Sequence, residues 1–357
     1  GRVWAILENG PHSPWLDWFT ISGWPLSPYD GDRPANYVAW VGNRALPKLN
    51  TDNPQVREYI MQVAEHWLRE GIDGWRLDVP FEIETPGFWQ EFRQRVKAIN
   101  PDAYIVGEIW HDSRQWLQGD QFDAVMNYLF AESAIAFAAG PHVLADQVVG
   151  RSYRPIPALS GVGYADKIDW LLNLYPWEIQ LAQLNLLDSH DTARLISIAG
   201  GDRDSVRLAT LLLMTFPGAP SIYYGDEIGL PGTNFDPDTR RTILWDRPDT
   251  WDMYALAYHK QLIAMRHAHP ALRTGAYHRL YADDDTYAFA RTSGGEALLV
   301  ALNVGAAPRS THMPANGLFA PGGVVELVYG SSAARLEGQH IAIELGARDG
   351  VVLRVGK

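Results

Sequence analysis

Three acids, Asp78, Glu108 and Asp191, stand where chemistry is expected. They lie in GIDGWRLDV (71–79), AYIVGEIW (103–110) and LNLLDSHDTAR (184–194). Each is an apolar, β-prone run that ends abruptly in an acid beside a loop. That pattern fits a parallel strand whose tip is used for catalysis, since in (β/α) barrels catalytic side chains come from the C-terminal ends of several strands. Carboxyl groups gathered at one rim suit glycosidic bond cleavage, in which one acid protonates the leaving oxygen and another attacks the sugar or activates water. Arg76 and Asp78 are two apart on a strand, so they share a face. A guanidinium there favours the anionic carboxylate, as a nucleophile requires. Glu108 follows an apolar run and precedes Ile109 and Trp110; an apolar setting would keep it protonated as a general acid. His190 and Asp191 are adjacent, so one of them is expected to contact a sugar hydroxyl while the other approaches the reacting carbon. The bland alternatives are a structural ion pair for Arg76–Asp78 and a helix cap for Glu108, and for each acid alone they compete evenly or better.

The elements that must carry these acids alternate in type. Asn53-Pro54 predicts the start of a helix, with Asn53 as N-cap and Pro at the first turn. Val56, Ile60, Val63, Ala64 and Trp67 recur at helical spacing up to Gly71, which suits a C-cap. A strand at 72–78, a helix near 86–99 and a strand at 103–108 then form a βαβ unit. FDAVMNY (122–128) reads as a strand, 131–183 as helical with a Pro/Gly-rich break at 150–163, and 184–188, 204–216 and 220–224 as strand, helix and strand. After Thr274 the period changes to two: YAFART (287–292) and ALLVALNV (297–304) flank Ser293-Gly294-Gly295, a hairpin signal. Strands at 324–329, 340–345 and 351–355 follow. The predicted organisation is a loop-rich stretch at 1–52, a (β/α) barrel part at 53–278 and an antiparallel β-sandwich at 279–357. Five barrel strands are countable where a closed barrel has eight.

Composition excludes several classes. A net charge of −12 with no basic patch argues against nucleic acid. Cysteine is absent, so neither a disulfide nor a thiolate site is available. The most apolar stretch, 208–216, is closed by Pro217 and Pro220, short of the roughly 20 residues a membrane span needs. No secretory signal precedes Gly1, but Gly1 does not look like a native start, so the compartment stays open, with a cytoplasmic, bacterial-type protein favoured. GxGxxG, P-loop, HExxH and GxSxG patterns are missing, which removes the commonest nucleotide, zinc-protease and serine-hydrolase readings. Fourteen Trp and sixteen Tyr are many for 357 residues. Most serve packing, but flat rings also stack on pyranose faces, and Trp110 is the first candidate.

Taken together, the motifs resemble the α-amylase family, glycoside hydrolase family 13. GWRLDV is similar to its second conserved segment, GEIW to its third and DSHD to its fourth. LPKLN (46–50), YYGDEIGL (223–230) and DPDTRRTILWD (236–246) resemble the neopullulanase, cyclomaltodextrinase and maltogenic amylase subgroup. The resemblance implies a (β/α)8 TIM-barrel type fold of which strands 4–8 are recognisable and strands 1–3 are not in the chain. It makes 1–52 a remnant of the family's loop-rich insertion (domain B). It implies a retaining hydrolase of α-1,4, and in some members α-1,6, glucosidic bonds, with transglycosylation as a variant. Asp78 would be the nucleophile, Glu108 the acid/base and Asp191 the third carboxylate. Arg76, His190, Trp110, Asp236, Arg240 and, less directly, Glu82 would bind substrate; the bland reading of Asp236 and Arg240 is a mutual surface ion pair. The substrates implied are α-glucan oligosaccharides or cyclodextrins. The chemistry needs no cofactor and no catalytic metal; the resemblance allows a structural calcium, with no ligands assignable, and a homo-oligomer. Pro80 and Phe81 replace the subgroup's Ala-Asn, Leu46 replaces Met, and the first conserved segment, Asp-x-x-x-Asn-His, has no counterpart. The rival expectation is an inactive, incomplete relative that binds sugar or acts as a scaffold.

Overall fold

The computed structural model describes residues 6, 9–28, 31–32, 34–149, 155–235, 237–319 and 324–355. The chain divides into two compact units, one made of 1–109 and 113–125, the other of 110–112 and 126–357.

In the first unit, the stretch before residue 53 holds short 3-10 turns and isolated bridges, Phe19 to Leu49, Ile21 to Tyr37 and Ala39 to Pro47. Its small core gathers Ile6, Trp18, Phe19 and Val56. Helix α1 (Pro54–Arg69) starts as the sequence predicts, since the Asn53 side chain accepts the Gln55 N–H. It stops because Gly71 takes φ +98°, a left-handed conformation that glycine adopts without steric cost. The buried stripe is Val56, Met61, Ala64 and Leu68, while Trp67 is half exposed. The predicted apolar face is therefore rotated by about one residue, because Trp67 leans on the exposed His66 ring instead of the core. Each large apolar side chain buried this way contributes about 1.5–3 kcal/mol.

Strand β1 (Gly74–Leu77), helix α2 (Phe88–Ile99), strand β2 (Tyr104–Gly107) and the start of strand β3 (Ala124–Asn127) follow. β1 pairs in parallel with β2, and β2 with Ala124 and Val125 of β3. Helix α2 packs on α1 through a charged seam in which Arg57 meets Glu91 at 2.6 Å and Arg95 meets Glu58 and Glu91 at 2.6 and 2.7 Å.

In the second unit, Met126 and Asn127 of β3 pair in parallel with β4 (Leu184–Asn185), and β4 with β5 (Ala219–Pro220). Five parallel strands thus follow in sheet order. β4 and β5 are two residues each, shorter than the five residues expected for each, because the backbone beyond them turns. The predicted helical region resolves into α3 (Tyr128–Ala138), α4 (Ala145–Val148), α5 (Gly161–Leu172) and α6 (Trp177–Ala182). Helix α7 (Leu195–Ile198) precedes α8 (Arg203–Thr215), which is capped by the Asp202 side chain.

The C-terminal strands are β6 (Ala276–Ala282), β7 (Thr286–Ser293), β8 (Glu296–Asn303), β9 (Arg309–Pro314), β10 (Val325–Tyr329), β11 (Ala334–Glu337), β12 (His340–Leu345) and β13 (Asp349–Val355). They form two antiparallel sheets, ordered β10-β13-β8-β7-β6 and β11-β12-β9. The β7–β8 hairpin turns at Gly294 and Gly295, both at positive φ, the conformation a two-residue primed turn demands. Arg291, with no exposed surface, donates to Thr215 O, Leu272 O and Gly275 O at 2.7–3.1 Å. It ties the sandwich to the end of α8.

Candidate active site

Asp78 follows β1 directly and Glu108 follows β2 directly. Leu77 pairs with Gly107 across those strands, so the two acids leave neighbouring strands at one level. The Glu108 N–H donates to Leu77 O at 2.9 Å, extending the ladder to the acid itself. Gly107 permits close packing there: a Cβ would meet the Phe122 ring at 3.0 Å and Pro80 at 3.2 Å, so both would have to shift to admit it.

Arg76 joins the two acids. Its Nη1 donates to Asp78 Oδ1 at 2.7 Å, and its Nη2 lies 3.0 Å from Glu108 Oε2. A planar fork suits this double contact in a way an ammonium does not. The Glu108 side chain is only 5% exposed, whereas that of Asp78 is 63% exposed. The expected apolar setting of Glu108 is therefore half right: it is buried, but a guanidinium stands against its carboxylate. Val79 turns the chain away at φ +41°, left-handed for a β-branched residue, a conformation that costs on the order of 1–3 kcal/mol. The turn aims the Val79 N–H at Glu108 Oε2, 3.3 Å away. The following Pro80 is buried, and its carbonyl accepts the Trp89 indole N–H at 3.1 Å. Lys48, from LPKLN, donates to Glu82 O and lies 3.7 Å from the Glu82 carboxylate. The sequence segments carrying Lys48 and Glu82 thus converge.

In the second unit, Asp191 does not close a strand. β4 ends at Asn185, and Asp191 rides a turn in which Ser189 N donates to Thr192 Oγ1 and Thr192 N to Ser189 O. Those turn hydrogen bonds take the place of a ladder, which is why the strand is short. His190 Nε2 lies 2.9 Å from Asp191 Oδ2, and Arg240 Nη2 donates to Asp191 Oδ1 at 2.9 Å. Arg240 Nε also donates to His190 O. Asp236 lies outside the described residues.

Trp110 stacks face to face on Tyr128, with centroids 3.5 Å and planes 8° apart. Tyr128 is fully buried, and its hydroxyl lies 3.0 Å from Ser189 Oγ, which accepts the Asp191 N–H at 3.2 Å. A chain of contacts thus runs from Trp110 to Asp191. Sequence patterning assigns Tyr128 only to a strand; nothing in its sequence context marks it, because it works through a contact 61 residues away. Among the described residues no group of three or more His, Asp or Glu is disposed to hold a metal ion, and no ligand set for calcium is assigned. No described helix is long and apolar enough to cross a membrane.

Parallel strands with acids at their carboxyl ends, followed by an antiparallel sandwich, are the architecture of barrel-type α/β proteins. Residues 4–254 match the α-amylase catalytic domain, and 277–349 the neopullulanase-like C-terminal domain. The chain belongs to the α-amylase family. It is 44% identical over 306 residues to a cyclomaltodextrinase of Geobacillus thermopakistaniensis, covering 85% of this chain and 48% of that protein. It is 42% identical over 304 residues to neopullulanase 2 of Thermoactinomyces vulgaris, covering 84% and 48%. The debranching enzyme of Nostoc punctiforme, a solved structure, is 58% identical with a TM-score of 0.94, over 100% of this chain and 73% of that one. The chain spans about half the length of these curated relatives.

Proposed function

We propose that the protein is a retaining α-glucan hydrolase acting on α-1,4 glucosidic bonds in malto-oligosaccharides or cyclodextrins, with some tolerance for α-1,6 bonds. The observation that carries this reading is the single Arg76 guanidinium spanning Asp78 and Glu108 at the tips of adjacent strands. The pairing keeps two carboxyls close enough to serve one bond, and a retaining pair stands about 5–5.5 Å apart.

In this mechanism Glu108 donates its proton to the glycosidic oxygen while Asp78 attacks the anomeric carbon, and the C–O bond to the leaving sugar breaks. A covalent glycosyl–Asp78 ester forms. Glu108, now a base, takes a proton from water, whose oxygen displaces Asp78. A sugar hydroxyl in place of that water gives transglycosylation. Asp191, held by His190 and Arg240, grips sugar hydroxyls and stabilises positive charge developing at the anomeric carbon. Trp110 offers an aromatic ring to an acceptor sugar, and Arg240 with Asp236 serves the donor side. The relatives named for cyclomaltodextrin, pullulan and branched-glucan chemistry support the substrate class.

The test is Asp78→Asn. It should retain the wild-type melting temperature and lose at least about 10³-fold in kcat on maltotriose and β-cyclodextrin. Turnover within tenfold of wild type would overturn the nucleophile assignment.

A further inference from the structure

Beneath the turn that carries His190 and Asp191 lies a second acidic pair which the mechanism above does not use. Asp188 is 2% exposed. Its Oδ2 accepts the Leu195 N–H at 2.6 Å and so fastens the end of the Asp188–Arg194 loop to the start of α7. Its carboxyl also meets that of Asp226, from YYGDEIGL, side chain to side chain. Two carboxylates both ionised have no proton to share between them, and Asp188 Oδ1 is buried with no other partner. A proton on Asp226 donated to Asp188 satisfies it.

One cation faces the pair. The Arg194 side chain has no exposed surface, lies 3.4 Å from Asp226 Oδ1 and donates to Tyr224 O. Its guanidinium sits 3.9 Å from the centroid of the Tyr223 ring and 4.5 Å from that of Tyr224. One shared proton leaves one negative charge against one guanidinium, a neutral cluster; losing it leaves two charges against one in a dry site. Arg194 N also donates to Gly232 O, so the cluster locks both ends of the loop.

We propose, building on the glucan-hydrolase reading, that Asp188 and Asp226 share one proton, and that this proton holds the Asp191 turn in its working shape and sets the alkaline limit of activity. Asp188, Asp226 and Arg194 are positioning residues: they act on Asp191 through the backbone. Burial pushes both carboxyls upward, Asp226 much further because the charge of Asp188 faces it as well. The other titratable or charged groups around the pair are Tyr223, held protonated by burial, Glu227, which accepts Gly225 N–H, and, bordering the cavity that Asp226 lines, Arg203, Arg207, Asp252, Tyr254, Tyr258 and His259. His259 is held neutral by burial.

The experiment compares wild type with Asp226→Asn, whose amide donates to Asp188 but has no proton to lose. Infrared difference spectra at neutral pH should show a protonated-carboxyl band in wild type that the variant lacks. The alkaline limb of kcat/KM on β-cyclodextrin should move up by about one pH unit or more. The same protonated-carboxyl bands in wild type and variant, with none lost, overturn the shared proton; a lost band with an unmoved alkaline limb overturns the link to activity. Asp188→Asn, which also leaves one negative charge facing Arg194, takes the same readouts if the first variant does not fold. The infrared arm requires no turnover, so its failure is distinct from a failure of the hydrolase reading, which Asp78→Asn addresses.

Discussion

Arg76→Leu tests the geometry of the site most directly. The arginine makes two charged contacts of unequal worth. The contact to Glu108 is nearly dry, with the acid 5% exposed, and removing a charged donor from a buried acceptor costs about 1–3 kcal/mol. The contact to Asp78 is largely solvated, with the acid 63% exposed, and such pairs contribute up to about 1 kcal/mol. Together they give a loss of about 1–4 kcal/mol, which lowers the melting temperature by a few degrees in a chain of this size. The catalytic loss should be larger than the stability loss, about 10²-fold or more in kcat/KM, because the two carboxyls proposed to react lose their common restraint. Arg76→Lys keeps the charge but reaches only one acid at a time, so it should fall between wild type and Arg76→Leu in both measurements. Differential scanning calorimetry and initial rates on maltotriose provide the two numbers. If Arg76→Leu melts with wild type and turns over within threefold of it, the bridging guanidinium does not organise the acids.

Tyr128→Phe keeps the ring under Trp110 but removes the hydroxyl that reaches Ser189. One neutral hydrogen bond, about 1 kcal/mol, should lower kcat/KM about fivefold, with little change in melting temperature; unchanged kinetics would show that the contact does not reach Asp191. Asn53→Ala removes the cap of α1, costing about 1 kcal/mol. It should lower the unfolding midpoint in urea while leaving kcat/KM intact, and an unchanged midpoint would refute the cap. The Asp226→Asn comparison also has a thermodynamic arm. Because the native carboxyl is raised, the folded state holds a proton that the unfolded state has released at pH above the ordinary carboxylate range. Its contribution is full below that range and falls by about 1.4 kcal/mol per pH unit until the native group itself ionises. Wild-type stability should therefore decline with rising pH more steeply than that of the variant.

Much of the fold was written locally. The Asn53 cap, the Gly71 stop, the βαβ rhythm through Glu108 and the change to period two after Thr274 each depend on residues within a few positions of one another. Propensity and patterning act at that range, so those elements were legible. Asp78 and Glu108 were also legible, because an acid directly after an apolar strand breaks the pattern at the point where β1 and β2 end. Asp191 was identified by its motif, but its setting was not: the ladder stops at Asn185 and a turn carries the acid, an outcome decided by Ser189 and Thr192 bonding each other.

Residue order alone establishes which side chains are available and, where the period is clear, which element carries each. Which of them meet was settled by folding. Arg76 gripping both acids required the β1–β2 register; Trp110 on Tyr128, Tyr128 on Ser189, and Asp188 on Asp226 join segments between 18 and 61 residues apart. Such contacts leave no periodic trace, because a hydrogen bond or shared proton constrains two positions and nothing between them. Burial then sets their strength, and burial belongs to the folded chain alone.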